Sequence, residues 1–201
     1  MPAETNILSV PKSSEKLFVR GFKTWCENTS LGIRTKMGLK PYEPLSAYDL
    51  AAQLNVQILK LEDLIHLPQD SLKYLSKDGD TEWSAATIQA SGQNFVVINP
   101  SHSEARQSSN LMHELAHIIR EHDSGSMSLY GEGISMRSYD ALQEDEANWF
   151  AGSLLLTRNA LFVINKADDL EEELARYGVS KSLYNWRLNV TGVRRQLARN
   201  F

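Results

Sequence analysis

An uninterrupted helical run from about residue 101 to 120 constrains this chain more than any other feature of its sequence. The run contains neither proline nor glycine, and its apolar residues Leu111, Leu115 and Ile118 recur at the spacing of one helix face. Ser101 and Glu104 form the S-x-x-E pattern of a capping box at its start. The sequence therefore predicts a long helix that begins at a capped residue.

This predicted helix carries the motif His113-Glu114-Leu115-Ala116-His117. Because residues four apart project from the same face of a helix, both imidazoles can reach one ion at about 2.0–2.1 Å. Zinc in such a site activates water for attack on a carbonyl carbon, and the adjacent Glu114 carboxylate can take the proton as general base. The motif predicts a zinc centre with hydrolytic chemistry, although manganese and iron also suit two imidazoles and a carboxylate.

A catalytic zinc needs a third protein ligand, and a second predicted helix, from about residue 138 to 156, offers three acids. Glu144 lies on the apolar face of that helix, whereas Asp145 points elsewhere. Glu146 falls about 200° around the helix from Glu144, so we expect it to face solvent, and it is the main rival ligand. Asn148, one turn after Glu144, is a candidate for steadying a ligand by a hydrogen bond.

These residues resemble the ImmA/IrrE family of metallopeptidases, in which H-E-x-x-H is followed by E-x-x-A-x-x-F-A-x-x-L-L. The second pattern runs here from Glu144 to Leu155. The similarity extends over the segments LAAQLNVQILKLEDL, NPSHSEARQSSNLMHELAHIIREH and YGVSKSLYNWRL. Two positions depart from the family pattern: Ala116 stands where glycine is commoner, and Thr157 where a proline usually follows the leucines.

The resemblance implies that His113, His117 and Glu144 hold the metal and that Glu114 is the catalytic base. It further implies a gluzincin-like, zinc-dependent endopeptidase that cuts a helix-turn-helix transcriptional repressor and so switches on phage, mobile-element or stress genes. In related zinc proteases the substrate lies extended along a sheet edge beside the metal. The segment 94–99 is the docking strand that we expect here.

Two other functions stay open at this stage. A non-enzymatic regulator could keep the metal site for structure or sensing and act by binding a repressor or DNA. A toxin-like protease could cut a broader set of targets. Glu114→Gln would separate an enzyme from a binding protein, because only the enzyme needs the base.

The remaining pattern predicts an α+β fold, a zincin-like minimal metalloprotease domain with a small sheet of about three strands. Helical spacing covers 15–37 and 46–54, extended segments cover 56–61, 83–90 and 94–99, and a short helix is possible near 70–75. The last two extended segments flank the turn Ser91-Gly92-Gln93, which predicts a hairpin. The predicted division is a mobile arm at 1–14, a metallopeptidase domain at 15–157 and a helical C-terminal subdomain at 158–201.

The segment 122–137 joins the two helices that carry the proposed ligands, and it is rich in glycine and serine. It is either a substrate-gripping lid or a plain connector. Within it, Tyr130 is a candidate oxyanion donor. His122 could polarise the substrate carbonyl, but a solvent-facing histidine at a helix end is the favoured interpretation.

The C-terminal segment 174–188 resembles a helix-turn-helix, with Gly178 at the turn and Ser180 as a cap. Its spacing fits a packed supporting helix pair better than a DNA-binding motif, so direct nucleic-acid binding is not expected. From Leu174 onward the chain has six basic residues and no acid: Arg176, Lys181, Arg187, Arg194, Arg195 and Arg199. We expect these to form a solvated face that leans on the acidic stretch before it, although they could grip an acidic partner.

Composition limits the remaining function classes. The 201 residues, 42% of them hydrophobic, suffice for a real core, and no apolar run of 18 residues or secretory leader is visible. The single cysteine, Cys26, excludes a zinc site built from a cysteine cluster and fits a reducing cytoplasm. We therefore expect a cytoplasmic enzyme with a protein substrate and no membrane partner.

Overall fold

The extended segments on either side of Gly92 form an antiparallel hairpin in the computed structural model, which describes residues 18–64, 83–90, 92–122, 135–136 and 140–199. Strand β2 (Ala85–Ala90) pairs with strand β3 (Gln93–Ile98), from Ala85 opposite Ile98 to Ala90 opposite Gln93. Gly92 has a φ of 76°, the left-handed conformation that a tight hairpin turn requires. The predicted hairpin is confirmed in these two strands.

A four-stranded mixed sheet surrounds this hairpin in the order β1-β3-β2-β4. β1 (Gln57–Leu59) runs parallel to β3, and the two-residue β4 (Ser135–Met136) pairs with β2 at Ile88 and Gln89. The prediction that a substrate adds to segment 94–99 is wrong, because β3 has β1 on one edge and β2 on the other. The α+β class with a small sheet is confirmed.

Two helices pack with this sheet. α2 (Ala47–Gln53) precedes β1, and α3 (Glu104–Ile119) packs against α2, β2 and β3. α3 buries an apolar face that includes Leu111, Met112, Leu115 and Ala116. The capping box at Ser101 is wrong: Ser103 is the N-cap residue, and the Ser101 hydroxyl bonds to the Asn99 side-chain oxygen at 2.8 Å.

The helix with the proposed third ligand is α4 (Ala141–Leu155). Asp140 caps it, since its Oδ1 accepts the backbone N–H groups of Leu142 at 2.9 Å and Gln143 at 3.0 Å. The expectation that Glu146 faces solvent is wrong, because only 6% of it is exposed. α4 has buried residues on most of its circumference. The pattern of apolar residues along it therefore does not predict which of its acidic side chains are buried.

The chain divides into two compact units, and the division falls within α4. One unit holds residues from Ala47 to Glu144, with the sheet, α2 and α3. The other unit holds the described residues up to Ser46 and from Asp145 onward. This division differs from the boundaries predicted after residues 14 and 157, and those boundaries stay predictions.

Among the described residues of the second unit, all regular secondary structure is helical. Besides most of α4 it contains α1 (Phe22–Lys36), α5 (Arg158–Ile164), α6 (Leu170–Arg176), α7 (Lys181–Val190) and α8 (Val193–Leu197). Aromatic side chains join these helices: Trp25 meets Phe150 with ring centroids 4.9 Å apart, and Trp149 meets Trp186 at 5.6 Å. No described helix is both long and apolar enough to cross a lipid bilayer.

Thr157, one of the two departures from the family pattern, caps α5. Its Oγ1 accepts the N–H of Ala160 at 3.1 Å and donates to the carbonyl of Pro41 at 2.8 Å. The side chain is fully buried with both bonds made. These two hydrogen bonds satisfy the buried Thr157 hydroxyl at a position where the family more often has proline.

The C-terminal segment forms the packed helix pair that the sequence favoured. Gly178 has a φ of 63° after α6, and the Ser180 hydroxyl accepts the N–H of Leu183 at 3.2 Å at the start of α7. Arg176 pairs with Glu173 at 3.1 Å and Lys181 pairs with Glu171 at 2.7 Å, as expected of a basic face that leans on acidic neighbours. Arg187 departs from the expectation because it is buried, with 1% of its surface exposed.

Candidate metal centre

Helix α3 presents two histidines from the same face. His113 and His117 are one turn apart, and their Nε2 atoms lie 3.0 Å from each other. The His117 side chain is 3% exposed and that of His113 is 13% exposed. The helical spacing therefore delivers the convergence of imidazoles that the sequence predicts.

A carboxylate from the first turn of α4 completes the cluster. One oxygen of Glu144, Oε2, lies 3.1 Å from Nε2 of His113, and the other, Oε1, lies 3.3 Å from Nε2 of His117. The backbone N–H of Glu144 donates to the Asp140 carbonyl at 2.9 Å, which fixes this residue in the first turn of α4. All three side chains belong to the same compact unit.

The distances within this cluster fit a tetrahedral metal ion. Bonds of about 2.0–2.1 Å at tetrahedral angles place ligand atoms roughly 3.3 Å apart, and the separations here are 3.0 to 3.3 Å. Among the described residues, these three form the group of histidine and acidic side chains able to hold an ion, with ligand atoms within 4.8 Å of one another. The Glu144 side chain is 26% exposed, so the cluster is reachable from solvent.

Glu114 lies next to the histidines and is held from the sheet. Only 7% of it is exposed, and the hydroxyl of Thr87 on β2 donates a hydrogen bond to its Oε2. A carboxylate with one oxygen held by a hydrogen bond keeps a defined orientation. Sequence reasoning missed Thr87 because the contact joins a strand and a helix 27 residues apart.

His122 also belongs to this neighbourhood. Its Nδ1 lies 2.8 Å from Nδ1 of His117, and the two ring centroids are 4.9 Å apart. The favoured interpretation of a solvent-facing histidine is therefore wrong. The H-x-x-x-x-H spacing from His117 to His122 was visible in the sequence, but it gives this contact only once the backbone turns back after α3.

Asn148 and Tyr130 are the remaining predicted site residues. Asn148 lies one turn after Glu144 on α4, and its Oδ1 is buried without a hydrogen-bond partner among the residues that the structure describes. Its predicted contact with a ligand stays a prediction. Tyr130 and all of segment 122–137 except His122, Ser135 and Met136 lie outside the described residues, as does the short helix predicted near 70–75.

Comparison with known protein families decides the family of this chain. The model of a peptidase family, described as the IrrE N-terminal-like domain, matches residues 58–189, which is well over half of the chain. The chain belongs to the ImmA/IrrE family. The matched range includes both histidines, Glu114 and Glu144. Membership of this family indicates a function of the metallopeptidase type. No curated protein and no solved structure gives a significant match.

Proposed function

We propose that this chain is a zinc-dependent endopeptidase in which His113, His117 and Glu144 hold the metal and Glu114 is the general base. The observation that carries the proposal is the convergence of the three ligand atoms at 3.0 to 3.3 Å beside a buried carboxylate. Two imidazoles and one carboxylate form a donor set of catalytic zinc sites, which leave a fourth position open. Manganese or iron would be accepted by the same donors.

The residues of the site have separable tasks in peptide hydrolysis. Bound zinc supplies a Lewis acid that polarises the scissile carbonyl and activates water. Glu114 takes a proton from the attacking water and returns it to the leaving amine nitrogen. Thr87 holds the Glu114 carboxylate through its hydroxyl, so that the base keeps its orientation without rearrangement.

The docking edge of the substrate is on β2 rather than β3 in this proposal. β2 is the strand that bears Thr87, and in the part of the chain that the structure describes it pairs with β4 at Ile88 and Gln89. Since Thr87 bonds to Glu114, an extended peptide along this edge would lie beside the base. Strand addition there would present a backbone amide to the metal centre.

The substrate that we propose is a helix-turn-helix repressor, as the family resemblance implies, and the role is regulation of phage, mobile-element or stress genes. The basic C-terminal segment has fewer positive charges available to bind a nucleic acid than its composition indicates. Three of its basic residues form ion pairs within the chain: Arg176, Lys181 and Arg187. A cytoplasmic location is part of the proposal and is supported by the presence of one cysteine, Cys26, which is buried and cannot form a disulfide within the chain.

Glu114→Gln tests the enzymatic proposal directly. It removes the base but keeps the size and a Thr87 acceptor, so we expect zinc content to stay and cleavage of a co-expressed repressor to fall by at least 100-fold. Zinc is measured by elemental analysis and cleavage by mass spectrometry of fragments. Glu121→Gln, the same change at an exposed position after α3, is the matched control and should leave cleavage unchanged.

Full repressor inactivation by zinc-loaded Glu114→Gln would contradict the proposal and favour a regulator that acts by binding alone. Fragments from many co-expressed proteins, rather than from one, would favour the broader toxin-like protease. Elemental analysis of the chain as purified also decides the metal, because manganese or iron in place of zinc would show directly.

A further inference from the structure

His122 contacts a proposed metal ligand on the side away from the metal. The Nε2 atom of His117 faces His113 and Glu144, while its Nδ1 lies 2.8 Å from Nδ1 of His122. The two rings meet edge to face at an angle of 74°. His117 is 3% exposed, so this ring nitrogen depends on the protein for its hydrogen bond.

The backbone that follows α3 puts His122 in this place. The N–H of His122 donates to the His117 carbonyl at 3.1 Å, and the N–H of Glu121 donates to the Ile118 carbonyl at 3.1 Å. These are the two hydrogen bonds of a Schellman motif, with Glu121 at the left-handed position usually taken by glycine. Glu121 has a φ of 53°, and the turn folds the chain back so that His122 lies against the last turn of α3.

The hydrogen bond has one direction when His117 holds a metal. A neutral imidazole carries one proton, and a ligand that binds through Nε2 must carry that proton on Nδ1. Nδ1 of His117 is then the donor and Nδ1 of His122 the acceptor. His113 has no matching support, since its Nδ1 is buried without a hydrogen-bond partner among the described residues.

We propose that His122 is a positioning residue of the metal centre, which accepts the Nδ1 proton of His117 and so fixes the tautomer and ring orientation in which Nε2 faces the ion. This rests on the metal centre of the proposed function. Groups that orient ligating histidines in this way commonly contribute 10- to 100-fold to metal affinity. The acceptor here is an imidazole, whereas a metal-bound histidine usually donates to a carboxylate, a backbone carbonyl or water.

Variants of His122 test the role by zinc affinity, measured in competition with a chromophoric chelator. His122→Leu removes the acceptor, and we expect zinc to bind about 10-fold more weakly or worse. His122→Asn places a carbonyl oxygen near the position of Nδ1 and should recover most of the affinity. Glu121→Gly keeps the Schellman turn without the positive-φ strain, so its zinc affinity should equal that of the wild type.

A spectroscopic measurement on the unmodified protein keeps the proposal testable even if a variant folds poorly. In the zinc-loaded wild type we expect the proton on Nδ1 of His117 to show a nitrogen–nitrogen coupling across the hydrogen bond to His122. Absence of that coupling, or equal zinc affinity for wild type and His122→Leu, overturns the proposal.

The two proposals fail in different ways. If His122→Leu binds zinc like the wild type while Glu114→Gln loses cleavage, only the role of His122 is wrong. If the wild type binds no zinc, Mn²⁺ or Fe²⁺, the metal centre itself is wrong and both proposals fall.

Discussion

At the residue scale, the proposed general base, Glu114, is hydrogen-bonded to a hydroxyl group from the sheet. Glu114 projects from α3 beside the histidines, and Thr87 on β2 donates to one of its oxygens. The proposed metal ligands, by contrast, come from the two helices α3 and α4. Perturbing Thr87 should therefore change the chemistry of the base without changing metal binding.

Thr87→Val is expected to lower kcat about tenfold while zinc content stays the same. A hydrogen bond to a charged group contributes about 1.5–3 kcal/mol, and a tenfold change in rate corresponds to about 1.4 kcal/mol. Thr87→Ser keeps the hydroxyl and should retain activity. Equal kcat in Val and wild-type enzymes would show that this hydrogen bond does not orient the base.

At the element scale, the C-terminal end of α4 is held by two buried arginines. Arg34 donates to the Leu154 carbonyl at 2.8 Å, and Arg187 donates to the Leu156 carbonyl at 3.1 Å. The last carbonyls of a helix have no partner within it, so these side chains satisfy groups that burial would otherwise leave unmet. Burial lowers the pKa of each arginine to about 10, and Glu27 offsets part of this cost by pairing with Arg187 at 3.2 Å.

The contact between α4 and α7 has no room for another methyl group at Gly152. A Cβ atom there would lie 2.5 Å from the Trp186 ring and 3.2 Å from Cδ of Arg187. Trp186 is held against Trp149, and Arg187 is held by its hydrogen bonds, so neither yields easily. Glycine at this position is required by packing, because its φ is not in the left-handed region.

Gly152→Ala is expected to destabilise the protein by about 1 kcal/mol. Overpacking costs about 1–3 kcal/mol, and the better helix propensity of alanine returns up to about 1 kcal/mol. Gly32→Ala is the matched control in α1, because its added Cβ meets nothing within 4 Å and should stabilise. Urea unfolding measures the free energy of unfolding of both variants. Equal changes in that free energy, in the same direction, would show that packing at Gly152 does not require glycine.

At the scale of the whole molecule, the proposed metal centre draws its ligands from two helices that the chain connects through residues 120–140. α3 supplies His113 and His117, and Glu144 comes from the start of α4, 31 residues after His113. An ion that binds only the folded arrangement stabilises it in proportion to the logarithm of its concentration. Zinc should therefore raise the thermal midpoint of the unit that contains the site.

Removal of zinc by a chelator is expected to lower that midpoint by on the order of 5–10 °C. Free zinc at about 100 times its Kd contributes about 2.7 kcal/mol, and each kcal/mol shifts the midpoint of a chain of this size by about 2–4 °C. Differential scanning calorimetry with and without chelator measures the shift. His117→Ala should show no response to zinc, and a zinc response equal to that of the wild type would remove His117 from the ligand set.

The sequence by itself determined the features that depend on local geometry. Helical periodicity placed His113, Glu114 and His117 on one helix, because residues four apart share a face whatever the rest of the chain does. Turn chemistry at Gly92 predicted the hairpin, and the family pattern from Glu144 onward indicated which acid accompanies the histidines.

Only the tertiary structure decided the contacts between segments that are distant or separated by a turn. Four features of this kind are not periodic in the sequence. They are the strand order that puts β3 inside the sheet, the hydrogen bond from Thr87 to Glu114, the burial of Glu146 and the contact of His122 with His117. Each follows from how whole elements pack to bury apolar surface and satisfy polar groups. That balance is a property of the entire fold, so no short stretch of sequence carries it.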